Sequence, residues 1–138
     1  MSTDLAEIMS PPYPPTREGR RHARLDALLT GFVEGDFLTV ADDPLDKDAN
    51  AILARVDPRE DEVWDFRCLD PQPGMRAFGS FAEKDTFIAL TWDYRENIDD
   101  WPDKVAECKA EWRKLFCDLS PFRGAHLDAY LSYNFRAV

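Results

Sequence analysis

Histidine and cysteine are scarce in this sequence, and their scarcity argues against several kinds of site. Two histidines and three cysteines are spread over 138 residues, and no two cysteines have the C-x-x-C spacing of a zinc site. An odd number of cysteines also argues against a disulfide framework. We therefore expect no metal site and no cofactor, and we interpret Cys68 and Cys108 as core thiols.

The local motifs of several enzyme classes are also missing. The sequence has no glycine-rich nucleotide loop, no HExxH and no nucleophile elbow. Cys117 has no histidine or cysteine near it in sequence to activate it, and a lone His126 is more often packed or solvated than catalytic. These absences favour a noncatalytic protein without excluding an enzyme.

Long apolar runs and an excess of basic residues are absent too. No apolar run approaches the ~18 residues of a membrane span, and the segment MSTDLAEIMS has acidic residues where a signal peptide has basic ones. The formal net charge is −10, which opposes nonspecific attraction to nucleic acid or membranes and favours cationic partners. We expect a cytoplasmic protein that does not associate with membranes.

Apolar and aromatic residues are plentiful, at 44% and 12% of the chain, and this length fits a single domain. Prolines fill four of the five positions from Pro11 to Pro15 and favour an extended backbone. We predict a flexible proline-rich arm over 1–15, lying over its own domain, and a single α+β domain over 16–138. A ligand for a proline-recognition domain is the alternative for the arm.

Periodicity and capping residues predict the elements of this domain. Thr16 suits the N-cap of a helix that runs to about Leu29. Strands are predicted over 36–41, 51–56, 62–69, 76–81 and 86–94, and helices over 102–118 and 120–134. The short links DPQPGM and AEKD imply antiparallel neighbours. The sequence therefore predicts an antiparallel sheet of about five strands, with helices packed on one face.

Arg67 and Arg76 interrupt these apolar strands, and strand parity predicts where they point. A four-residue AEKD loop places Phe81 opposite Thr86, and the DPQPGM link places Leu69 opposite Arg76. One face then becomes wholly apolar and should carry the helix over 102–118; its members include Trp64, Phe66, Ile88 and Leu90. The outward face collects Asp65, Arg67, Arg76, Phe78, Ser80, Phe87, Thr91 and Asp93.

Two arginines beside two phenylalanines on an outward face suit a ligand site. Arginine binds phosphate or carboxylate bidentately, and an aromatic ring can stack on a flat group. The alternative is a solvated face on which the two aspartates pair with the two arginines across the strands. The predicted ligand-binding residues are Arg67, Arg76, Phe78, Phe87, Asp65 and Asp93.

Two other charged stretches allow more than one interpretation. The basic run REGRRHAR, Arg17–Arg24, opposes the dipole at the start of its helix, so we expect acidic partners from the loop Asp42–Asp48; an external acidic partner or RNA is the alternative. The segment Asp46–Asp57 has the spacing of an EF-hand calcium loop, but Ala51 replaces its glycine and Pro58 follows it. We interpret it as an acidic surface loop, with calcium binding as the alternative.

The strings VWDFR and GMRAFGSFAEKDTFIAL, within about 63–90, resemble the central strands of RelE/HigB-type toxins, which are small ribosome-associated ribonucleases. The resemblance implies an α+β fold in which Arg67 and Arg76 contact RNA phosphates and stabilise charge during attack by a 2′-OH. A ribonuclease toxin of this kind, acting on mRNA, is our alternative prediction. Our main prediction is a noncatalytic binding or regulatory protein that recognises a protein partner or a small anion.

Overall fold

The computed structural model describes residues 1–138 and has an α+β fold, as predicted. Its strands form one six-stranded sheet in the order β5-β4-β3-β2-β1-β6. The strands are β1 (Leu38–Ala41), β2 (Leu53–Arg55), β3 (Trp64–Cys68), β4 (Met75–Glu83), β5 (Thr86–Tyr94) and β6 (Phe135–Ala137). The helices are α1 (Thr3–Ile8), α2 (Arg17–Glu34), α3 (Trp101–Leu115) and α4 (Leu127–Tyr130). No helix combines the length and the apolar character that a membrane span requires.

The sheet is mixed, which corrects the predicted antiparallel sheet of about five strands. Strands β2 to β5 pair antiparallel, but β1 pairs in parallel with both β2 and β6. Strand β6 lies beyond the helix predicted over 120–134, of which only α4 forms. The Phe122 N–H donates to the Phe81 carbonyl at 2.8 Å, which ties the nonhelical segment before α4 to β4.

The β4–β5 hairpin has a different register from the predicted one. Its connection is two residues long, because Glu83 pairs with Thr86, and the register shifts twice, between Phe81 and Glu83 and again between Phe78 and Gly79. Phe81 therefore lies opposite Phe87 and not opposite Thr86. The change moves Phe87 to the sheet face predicted to be apolar and moves Ile88 and Leu90 away from it.

Helices cover both faces of the sheet, so the prediction of helices on one face is wrong. Helix α2 packs on the face that carries Trp64 and Phe66. Helix α3 packs in a separate cluster with Phe78 and Leu90. Successive residues of a strand point to opposite faces, and Ala77 belongs to the first cluster while Phe78 belongs to the second. Helix α3 therefore covers the face opposite to the one predicted.

Capping explains where the two long helices begin and end. The Thr16 hydroxyl accepts from Gly19 N–H at 3.0 Å, which confirms the predicted start of α2. That helix extends to Glu34, and Gly35 ends it with φ 84°, a left-handed conformation that glycine adopts without strain. The Asp100 carboxylate accepts from Asp103 N–H at the start of α3, so this helix begins close to the predicted residue.

The first residues of the chain pack on the sheet. Leu5 in α1 has 0% exposed surface and joins the cluster beneath α2. The Ser2 N–H donates to the carbonyl of Ala89 on β5 at 3.2 Å. The segment therefore lies over its own domain and covers part of the outer edge of β5.

Candidate functional site

The structure brings the charged members of the predicted site together. Arg67 and Arg76 are directly opposite each other on β3 and β4, and Asp93 on β5 lies directly opposite Arg76. Asp65 is opposite Phe78 in the same register. All five residues point to the sheet face that α3 covers, because alternate strand positions share a face.

Neither predicted aromatic residue presents an open ring beside the two arginines. Phe78 has 0% exposed surface, and its ring meets the Trp101 ring of α3 with centroids 5.8 Å apart, so it is a core residue. Phe87 lies on the opposite face, with its ring centroid 4.9 Å from that of Phe66. The register change in the β4–β5 hairpin explains this error.

The predicted outward face is also largely buried. Asp65 and Arg76 are 2% and 6% exposed, while Arg67 keeps partial access to solvent. Besides α3, the loop between β1 and β2 reaches over this face, because Arg67 Nη1 donates to the Asp48 carbonyl at 3.0 Å. We call Lys47 of this loop, together with Asp65, Arg67 and Arg76, the arginine cluster.

Arg76 is incompletely paired. Its Nη1 donates to the Met75 carbonyl at 3.0 Å. Its Nε lies 3.4 Å from Asp65 Oδ2, but the geometry is not that of a hydrogen bond, and both Arg76 Nε and Asp65 Oδ1 are buried without a partner. Buried polar atoms normally have hydrogen-bond partners, and two of the five buried side-chain atoms that lack one belong to this arginine and aspartate.

Asp93 does not neutralise either arginine. Its Oδ2 lies 2.5 Å from Lys104 Nζ on α3, and its Oδ1 accepts from Tyr94 N–H. The expected cross-strand pairing of two arginines with two aspartates is therefore only half present. Arg67 donates only to neutral carbonyls, those of Asp48 and Ala51.

Positive charge is in excess within the arginine cluster. Burial lowers the pKa of Arg76, and the neighbouring Arg67 lowers it further against the opposing effect of Asp65. Burial also lowers the pKa of Lys47, with Arg67 and Arg76 acting in the same direction and Asp65 and Asp57 against it. Burial raises the pKa of the Asp65 carboxyl although these cations oppose the rise. Asp65 thus faces three cations and itself tends toward the neutral form, while Asp57 is a second carboxylate acting on Lys47.

Lys47 is the member of the cluster that sequence inspection missed. It is the only basic residue in the acidic stretch DDPLDKDAN, and that isolation was the available signal. In contrast, two arginines of the basic run of α2 form ion pairs within the chain, Arg21 with Glu96 at 2.6 Å and Arg24 with Asp70 at 2.8 Å. These partners differ from the predicted acidic loop Asp42–Asp48.

No three His, Cys, Asp or Glu side chains gather in an arrangement that could hold a metal ion. Asp46, Asp48 and Asp57 of the calcium-like spacing therefore do not form such a group. Cys68 and Cys108 are buried, as expected for core thiols, and Cys117 is exposed. The chemistry available at the arginine cluster is that of fixed positive charge.

Comparison of the chain with protein-family models, with curated proteins and with solved structures gives no significant match. The resemblance to RelE/HigB-type toxins is therefore still a prediction from two sequence strings. Growth arrest on expression, abolished by Arg67→Ala, is the result that this prediction requires.

Proposed function

We propose that the protein is a noncatalytic binding protein whose arginine cluster holds a small anion. One observation carries the proposal: Arg67 and Arg76 are directly opposite each other, and the only carboxylate in contact with Arg76 leaves its Nε without a hydrogen bond. An anion between these groups would supply the missing acceptor and the missing negative charge.

The pairing of β3 with β4 places Arg67 directly opposite Arg76. Like charges directly opposite each other on neighbouring strands destabilise a sheet, and buried charges are normally paired. Asp65 supplies one negative charge for Lys47, Arg67 and Arg76, and burial favours its neutral form. A bound anion therefore removes a cost that the protein alone leaves uncompensated.

The surroundings restrict the size and shape of the ligand. Phe78 is covered by Trp101 and Phe87 is on the other face, so no aromatic ring is available beside the cluster to stack on a flat group. Two guanidinium groups and an ammonium suit a compact oxyanion such as phosphate, which accepts several charge-assisted hydrogen bonds at once.

The loop between β1 and β2 gives anion binding a structural consequence. Arg67 holds this loop through the carbonyls of Asp48 and Ala51, and Lys47 directly precedes Asp48 in the same loop. An anion that engages Lys47 and Arg67 together ties the loop more firmly to the sheet. Such coupling between a bound ion and a surface loop is suited to a regulatory role.

Equilibrium dialysis with radiolabelled inorganic phosphate, at constant ionic strength and neutral pH, tests the proposal. We expect saturable binding to the wild-type chain, weakened by about tenfold or more in Lys47→Met and Arg67→Met, because each removes a charge-assisted hydrogen bond. Arg136→Met is the matched control, since Arg136 is an exposed arginine on β6. Unsaturable binding, or equal binding by all four proteins, would contradict the proposal.

A further inference from the structure

Three large apolar side chains are exposed together near the end of α2. Val33, Phe37 and Tyr133 have 83%, 59% and 70% of their surface exposed. Asn134 Nδ2 donates to the Gly35 carbonyl at 2.7 Å, and a side chain at Gly35 would lie 3.0 Å from the Tyr133 hydroxyl. The C-terminal turn thus holds Tyr133 against the end of the helix. We call these three side chains and the grooves between them the α2-end surface.

Two grooves form this surface and meet at one acidic residue. The first groove, of about 290 Å³, runs between Val33 and Tyr133. The second, of about 390 Å³, is lined by Phe37 and aliphatic side chains together with Arg24, Arg67 and Asp70. Phe32 and Asp36 line both grooves. A carboxylate therefore stands between two apolar depressions.

The charge around the first groove is negative, since Asp36 and Asp85 line it without any basic residue, and it is not compensated within the helix. The C-terminal end of a helix carries partial negative charge and favours basic residues nearby. The last turn of α2 has Glu34 and no basic residue, and Asp36 follows directly. The last turn of α3, in contrast, carries Arg113 and Lys114. The end of α2 therefore lacks the cations that the end of α3 supplies for itself.

We propose that the α2-end surface docks a basic segment of another protein. In this arrangement a lysine or arginine of the partner meets Asp36, and apolar side chains on either side of it enter the two grooves. Exposed apolar patches mark binding surfaces. The acidic residues among these side chains favour a partner segment of positive charge. The proposal shares only Arg67 with the anion site, because Arg67 also lines the second groove.

The negative charge of the surface also disfavours occupants that are themselves negatively charged. Nucleic acid and anionic membranes would bring negative charge to Glu34, Asp36 and Asp85, the last of which also lines the first groove. A second copy of this chain carries a net charge of −10, so association between copies is opposed by repulsion. A basic protein segment is the occupant that matches both the apolar grooves and the negative charge.

Selection from a random-peptide display library against the immobilised full chain tests this proposal. We expect enriched peptides to carry lysine or arginine flanked by apolar residues. Synthetic copies should bind the wild-type chain at least about tenfold more tightly than Asp36→Asn or Val33→Ser, by fluorescence polarisation, because each substitution removes one buried contact. Leu119→Ser is the control, since Leu119 is 58% exposed and lies on neither groove.

Several results would overturn the proposal. These are the absence of any enriched peptide, enrichment of acidic peptides, and equal binding by the wild-type chain and Asp36→Asn. A concentration-dependent dimer that Val33→Ser abolishes, measured by analytical ultracentrifugation, would instead assign the surface to a second copy. Circular dichroism on each variant distinguishes a lost contact from a lost fold.

Discussion

Arg55 on β2 and Arg76 on β4 are two arginines of the same sheet, and both are almost fully buried, at 1% and 6% exposed. Arg55 forms ion pairs with Asp42 and Glu62, each at 3.0 Å, and its guanidinium lies 4.2 Å from the centre of the Trp64 ring. Arg76 contacts one carboxylate, with its Nε unbonded.

The pKa values of the two arginines are shifted in opposite directions. Burial alone lowers the pKa of an arginine, but Tyr130 and Glu62 outweigh burial at Arg55 and raise its pKa. At Arg76 burial prevails and the pKa is lowered. Burial of an arginine therefore does not reveal its role, whereas the number and charge of its partners do.

The surroundings of Arg55 form a closed structural network. The Tyr130 hydroxyl donates to the Glu62 carboxylate, 2.7 Å from Oε2, and accepts from the Gly124 N–H at 2.9 Å. Glu62 adopts a left-handed φ of 55°, which is uncommon for a residue other than glycine. The network ties β2 to the C-terminal segment and gives the Glu62 carboxylate both a cation and a hydroxyl partner.

The largest expected effect is the loss of Arg55. Arg55→Met should lower the free energy of unfolding by about 3–5 kcal/mol, because it leaves the buried Glu62 without its cation. Urea unfolding followed by tryptophan fluorescence measures this loss, with Arg136→Met as the exposed control. A loss no greater than that of the control would remove the distinction between the two buried arginines.

Arg76→Met should have a smaller effect. We expect a loss below about 2 kcal/mol in the absence of phosphate, since the substitution also relieves repulsion by Arg67 and Asp65 can bind a proton. In saturating phosphate the wild-type chain gains stability by linkage and the difference between the two proteins widens. Urea unfolding with and without phosphate checks both parts, and a difference that phosphate leaves unchanged would count against the anion site.

The smallest expected effect is the pH dependence caused by Asp65. Burial raises the pKa of this carboxyl in the folded state, so its ionisation opposes folding. The stability of the wild-type chain relative to Asp65→Asn should therefore fall as the pH rises above about 4, the ordinary pKa of aspartate. Urea unfolding of both proteins between acidic and neutral pH measures the trend. An increase with pH would mean that Arg76 dominates over burial.

Much of the secondary structure was predictable because its signals are local. Strand β5 has the predicted bounds, 86–94, and α2 begins after the predicted N-cap Thr16. The helix over 120–134 failed for a nonlocal reason, because Phe122 hydrogen bonds to Phe81, which lies far away in sequence. Helix propensity depends on residues close together in sequence, whereas this contact joins residues that are far apart in sequence.

The candidate site was predictable in part. Antiparallel pairing correctly placed Asp65, Arg67, Arg76 and Asp93 on one face, but the predicted partner of Arg76 was Leu69, whereas the structure pairs it with Arg67. The position of Phe87 did not follow, because a bulge changes the register of β5. The loop between β1 and β2 covers the face of the arginine cluster through a contact between Arg67 and Asp48. No periodicity in that loop or in β3 predicts this contact.

The sequence by itself determined the chain's negative charge, most of its strands and the starts of its long helices, because composition, alternation and capping act over a few residues. Only the tertiary structure decided which charges are compensated. Arg55 and Arg76 have similar apolar neighbours in sequence, and their difference arises because Asp42, Glu62 and Tyr130 converge on one of them from separate segments. Such convergence depends on tertiary packing, which brings together residues that are far apart in sequence, and a local sequence pattern does not encode it.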